Sequence, residues 1–196
     1  MIPAVSGLIE HLESHLGEIV SGYRGDETTP KGVLVAQFGP DRPWPGMTTL
    51  ATAGLSKYHL SQADDRPGMH IELVVHLPAE DLPENAAAVL FQIAEMIIED
   101  GMAPPRGTVF GPAGGPVFGV GDLTALVIYE PLLMPESFVT VQEGDTEIMM
   151  TWLVPISDDE AAFVRDEGAP ALFDLFRESE VDLDVLTRES LAPGGE

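Results

Sequence analysis

The sequence predicts a mixed α/β (α+β) fold, with a largely antiparallel central sheet flanked by helices, and three observations carry that prediction. Met69 to Leu77 alternates strictly between two sets of side chains, the period of a strand. Met149 to Ile156 is too continuously apolar for a half-exposed strand and runs straight into a helix start. The elements follow in the order helix, strands, helix, strands, helices, which is not the regular alternation that builds an all-parallel sheet. Within the 196 residues, 1–190 are read as a single domain and 191–196 as a flexible carboxy-terminal end. A domain of this size buries roughly 70% of the surface of its unfolded chain.

Pro3 to Val20 is predicted as an amphipathic helix, because Val5, Leu8, Ile9, Leu12, Leu16 and Ile19 recur at three- and four-residue spacing. Gly22 to Lys31 is a polar loop. Gly32 to Phe38 is short and apolar, and the Pro- and Gly-rich GPDRPWPG that follows marks a strand exit. Thr48 to Leu55 is a second strand. In the third, Ile71, Leu73, Val75 and Leu77 point one way and His70, Glu72, Val74 and His76 the other, so it is expected to be half-buried.

Glu84 to Met102 reads as a long helix that is apolar nearly all round, hence packed on more than one side. Gly101 ends it, and Pro104-Pro105 prevent its return. Thr108 to Gly121 is loop. Leu123 to Glu130 and Thr146 to Val154 are strands, with a further extended piece expected near Phe138 to Val141. Pro155 closes the last strand, since it has no amide to give a ladder. Ser157 is a good N-cap with Glu160 three residues on, the pattern of a capping box, and Asp158 and Asp159 suit the first turn. Ser157 to Glu167 and Pro170 to Arg177 are the last helices.

Charge narrows the function. Nine basic against 33 acidic residues leave a net charge of −24, a surface that repels phosphate backbones, so nucleic-acid partners are not expected. The same field favours a basic protein partner and speeds its capture. The chain has no cysteine, which removes disulfides, thiolate catalysis and cysteine-bound zinc. MIPAVSGLIEHLESHLGE lacks a basic leading segment and is not expected to be a signal peptide. No apolar run approaches the ~18 residues of a membrane span. A cytoplasmic location with no membrane partner is expected.

Five elements taken together resemble the suppressor-of-fused domain family. They are Gly54-Leu55-Ser56 and the strand Ile71-Glu72-Leu73-Val74-Val75-His76-Leu77. After the buried helix come Leu126-Val127-Ile128-Tyr129-Glu130-Pro131 and Trp152 to Glu160, and finally Gly168 before Ala171 to Phe176. Their order matches across roughly residues 30 to 180. The resemblance implies a mixed sheet flanked by helices, with no catalytic centre described. Animal members resemble scaffolds that sequester a transcription factor with the help of a second, carboxy-terminal domain. This chain is not expected to hold that second domain, so that partner is not carried over. Small bacterial members of the single-domain type resemble immunity proteins, which bind and neutralise toxins.

The residues that could carry chemistry are each better explained otherwise. His11 and His15 stand four apart, a zinc-compatible spacing, yet HLESH does not place Glu directly after the first His, and a solvated helical face is the expectation. His70 and His76 share a strand face but stand ~20 Å apart at ~3.3 Å per residue, too far to share a metal ion. Ser56 lacks the elbow of a serine hydrolase. Gly111 to Pro116 and Gly119 to Asp122 resemble a phosphate cradle only superficially, because neither Lys31 nor Lys57 follows them. Asp158, Asp159 and Glu160 are accounted for as helix-start charges. The acidic run from Asp174 to Asp184 reads as a solvated edge.

The expected function is therefore a non-catalytic protein-interaction domain of the immunity type that binds a basic protein. No catalytic residue, metal ligand or cofactor is assigned. The binding candidates are Trp44 and Tyr58 as aromatic anchors, with His59, Asp64 and Asp65 beside them, in the loops Asp41–Gly46 and Ser56–Gly68; Arg106–Gly121 is a third candidate loop. The alternative is a hydrolase or metal-dependent enzyme using His59, His70 or the acidic cluster. A deep pocket gathering a histidine and two carboxylates favours that alternative.

Overall fold

The computed structural model describes residues 7–62, 66–183 and 185–192. Helix α1 (Gly7–Leu16) buries Leu8, Leu12 and Leu16, the apolar stripe that the spacing predicts. It is shorter than Pro3–Val20, and residues 3–6 of that span lie outside the described residues. Gly17 takes φ +87° and its amide bonds to the Glu13 carbonyl, which closes the helix. The chain then enters strand β1 (Ile19–Arg24), part of which the sequence suggested was helix and part loop. An irregularity between Ile19 and Ser21 shifts the pairing with β2, while burial still alternates, with Ile19, Ser21 and Tyr23 half-buried and Val20, Gly22 and Arg24 exposed.

Strands β2 (Leu34–Phe38) and β3 (Met47–Ala53) continue the sheet, and a single 3₁₀ turn, Leu55–Lys57, leads toward β4 (His70–Pro78). Helix α2 (Ala86–Asp100) crosses the sheet. Beyond it lie the short β5 (Val109–Phe110), β6 (Ala125–Tyr129), a one-turn helix α3 (Glu136–Val139) and β7 (Thr140–Glu143). Of the extended piece expected near Phe138 to Val141, Phe138 and Val139 end a helix, and Thr140 and Val141 begin a strand. The long β8 (Thr146–Ile156) passes into α4 (Asp158–Glu167), and α5 (Ala169–Glu178) follows.

The strands form one sheet in the order β1-β2-β3-β4-β8-β6-β5, with β7 beside the first half of β8. Only β4 and β8 run parallel among the paired strands, so the sheet is mixed and largely antiparallel as predicted. One face carries Val35, Leu50, Leu73, Val75, Leu126 and Leu153 against Leu90, Ala94 and Ile97 of α2. The other is covered in two halves. Helices α1 and α3 lie over Phe38, Ala51, Val74 and Met150, while α4 and α5 lie over Val127, Tyr129, Trp152 and Val154.

This double cover corrects two expectations. Strand β4 is buried on both faces rather than half-buried, because α1 and α3 shield the face bearing Glu72 and His76. Helix α2 is covered on one side only: Ala88, Gln92 and Met96 form an exposed row, with Met96 45% exposed. Its apolar circumference exceeds what its packing uses. Pro155 sits inside β8, opposite Leu126, one residue before the strand's end.

Candidate functional site

The side chains with most chemical potential are buried, and each is held by named partners. Glu72 on β4 is 0% exposed. Its Oε1 accepts bonds from the Gly54 amide (2.8 Å), the Ser56 amide (3.1 Å) and the Ser56 hydroxyl (2.7 Å). Its Oε2 accepts from Thr52 Oγ1 (2.6 Å) and the Leu55 amide (3.3 Å). Five donors thus surround two oxygens, the coordination that makes an interior charge tolerable. Gly54 is required here: its φ is +114°, and a Cβ would lie 2.3 Å from the Gly32 carbonyl oxygen. The GLS turn is therefore a receptor for the strand's glutamate. His70 Nδ1 bonds to the Ser56 carbonyl at 2.6 Å, which ties the same turn down from β4.

A second buried carboxylate sits at the junction of β8 and α4. Ser157 and Glu160 form the predicted capping box, with Glu160 Oε2 accepting from the Ser157 amide at 3.0 Å and Ser157 Oγ from the Glu160 amide at 3.2 Å. The same carboxylate also meets Arg188 in a forked pair, Nη1 to Oε1 at 2.6 Å and Nη2 to Oε2 at 2.8 Å. Their side chains are 5% and 0% exposed. Arg188 further donates to the Pro155 carbonyl at 3.0 Å and lies over the Phe176 ring. The Leu191 amide adds a bond to Glu160 at 3.1 Å, and Ala192 is buried, so the chain is bound to the domain through both residues. Residues 193–196 of the expected flexible end lie outside the described residues. Capping alone does not account for Glu160: it anchors the carboxy-terminal strap.

His76 is also buried, 3% exposed, with Nδ1 2.8 Å from Thr49 Oγ1 and no hydrogen-bond partner at Nε2 among the described residues. Its ring lies between Trp44 (5.0 Å) and Trp152 (5.9 Å). Burial pushes its pKa down to about 3, so it is neutral at ordinary pH.

The binding candidates do not converge. Trp44 is half-buried over His76, at the start of β3 and the end of β4, in a loop closed by Asp41 Oδ1 on the Gly46 amide. Tyr58 and His59 lie at the other end of these strands. Tyr58 Oη donates to the Lys31 carbonyl at 2.7 Å, and exposed His59 meets the His70 ring edge-on at 5.5 Å. Strand β3 runs between the two groups and separates them by ~20 Å. Asp64 and Asp65 lie outside the described residues. His11 and His15 are half-buried rather than solvated: they pack on Phe138 and bond to Phe138 O (3.0 Å) and Ser137 Oγ (3.1 Å). Burial, more than the neighbouring His15, lowers the His11 pKa. Among the described residues, no three His, Cys, Asp or Glu side chains are grouped to hold a metal ion.

Two open depressions lie among the described residues. A cleft of about 530 Å³ lies at the start of α4, lined by the Gly115–Asp122 loop, Asp158, Asp159 and the strap at Arg188–Ser190. Gly121 lets that loop approach closely, since a Cβ there would meet the Leu186 carbonyl at 2.1 Å. A groove of about 470 Å³ runs between the end of β1, the loop after it and α2. Arg188 and the inward turn of Glu72 escaped the sequence reading. The only signal for Glu72 was its place on the polar side of an alternating strand.

This arrangement of elements recurs in known structures. A family profile described as Suppressor of fused protein (SUFU) matches residues 28–189. The chain belongs to the suppressor of fused protein family. Its fold is that of solved suppressor-of-fused structures. A homologue from Neisseria gonorrhoeae FA 1090 superposes with a TM-score of 0.74 at 18% identity, covering 96% of this chain and 97% of that one. The Sufu–Fu complex gives 0.68 at 16% identity, over 95% and 92%. Drosophila Suppressor of Fused gives 0.69 at 15% identity over 94% of this chain but 50% of the fly protein. Among curated proteins, immunity protein YqcF of Bacillus subtilis (strain 168) is 24% identical over 151 residues, 77% of this chain and 78% of its own length. Among the described residues no helix is long and apolar enough to cross a membrane.

Proposed function

We propose that the chain is a non-catalytic protein-interaction domain of the immunity type, which binds and neutralises a basic protein. The likeness to immunity protein YqcF, over more than three quarters of both chains, carries this reading. The net charge of −24 supports the choice of a basic partner, because it draws cationic surfaces in and discriminates against anionic ones. The use of the buried carboxylates supports a non-catalytic role. Glu72 is saturated by five donors, and Glu160 by its cap, Arg188 and Leu191. A general base must reach a substrate proton, and both of these are committed to holding the fold.

The test is co-purification of the tagged chain from its native cell at low salt, with identification of what is retained. A basic protein released by salt is expected, and its toxicity in a host should fall when this chain is produced with it. If nothing basic is retained, or a retained toxin kills equally well in the presence of the chain, the reading fails.

A further inference from the structure

The groove between β1 and α2 combines three features found together nowhere else among the described depressions. Its floor is apolar, from Tyr23 of β1 and Ala88 and Phe91 of α2, where small alanine side chains leave the gap open. Its rim is acidic, from Asp26, Glu84 and Glu95, with Arg24 at the strand end as a cation among the lining residues. Two bonds from Thr28 hold Asp26 in place and its pKa below the usual carboxylate range. Beside the floor runs β1, the terminal strand of the sheet, which pairs with β2 on one side and with no other strand among the described residues. Terminal strands are normally guarded by proline, charge or a bulge. Here the bulge lies at Ile19–Ser21, and Tyr23 and Arg24, at the end of the regular stretch beyond it, line the groove.

We propose that this groove receives an extended segment of the protein partner, bearing lysine or arginine at alternate positions and added to the free edge of β1. A strand at that edge presents alternate side chains to one face. The cationic set faces α2, where its methylene stems lie over Ala88 and Phe91 and its charged ends reach Glu84, Glu95 and Asp26. Arg24 favours an acceptor, a carboxylate or carbonyl, at the end of the segment it meets. The cleft at the start of α4 is also acidic but lacks the apolar floor and the open strand. This inference rests on the reading that the chain binds a protein.

The probe is a synthetic peptide of about ten residues, alternately lysine and valine, long enough to span β1. It is titrated into the whole ¹⁵N-labelled chain at low and at physiological salt. Amide shifts concentrated at residues 21–26 and 86–95, and weakened by salt, are expected. E84K/E95K should weaken binding about tenfold, the combined worth of two surface ion pairs, while D158K/D159K leaves it within about twofold. Shifts centred on Asp122 and Asp158, shifts scattered over the surface, or no binding at low salt each overturn the inference. Because the co-purification does not involve this peptide, failure to retain a basic protein there sinks the broader reading, whereas misplaced shifts sink only this one.

Discussion

Ser56 donates twice to the same oxygen of Glu72, through its amide at 3.1 Å and its hydroxyl at 2.7 Å. One residue thereby closes a turn around a buried carboxylate, and the turn and strand β4 become a single unit. Replacing Glu72 with Gln puts an amide donor among donors. We expect E72Q to lose about 3 kcal/mol of stability in urea unfolding, and S56A about 1 kcal/mol. An E72Q protein as stable as the parent would show that the cradle contributes nothing.

Gly54 makes the same turn geometrically possible. A Cβ at φ +114° would press on a backbone oxygen that cannot yield, so G54A should cost about 2 kcal/mol or more. Gly46 is the control. It too has a positive φ (+81°) but faces open space, and G46A should cost only about 1 kcal/mol. Equal losses in thermal unfolding would count against the steric argument.

The Glu160–Arg188 pair offers a test of coupling. R188M leaves a carboxylate buried without its counter-charge, and a loss of about 3–5 kcal/mol is expected. Removing both charges, as in E160Q/R188M, should cost clearly less than the two single losses added together. Strict additivity in a double-mutant cycle would mean that the two side chains act independently.

His76 sets a pH dependence. Its folded pKa of about 3 lies below its unfolded value near 6.5, so the unfolded chain takes up the proton first. Its stabilising contribution is complete above pH ~6.5 and declines by ~1.4 kcal/mol per unit as pH falls toward 3. H76Q should therefore lose about 2 kcal/mol less than the parent between pH 6.5 and 5. Parallel stability curves for the two proteins over that interval would refute the assignment.

Most of the fold was legible because its signals are local. The capping box at Ser157–Glu160, the apolar run of β8 and the glycine ending α2 are set by neighbours within a few residues. Strand β1 was missed because its half-buried side includes the polar Ser21 while the apolar Val20 is exposed, and Gly22 makes the segment resemble a loop.

The sequence by itself determined the order of elements, the mixed sheet and the acidic character that frames the proposed partner. Only the tertiary structure decided which acids are surface and which are interior. Glu72 lies on the polar side of an alternating strand, yet α1 and α3 cover that side, and the donors of Gly54–Ser56 make its burial tolerable. Glu160 finds its counter-charge in Arg188, 28 residues away, which no local pattern announces. Burial of a polar group depends on what covers it, and the cover comes from distant segments of the chain.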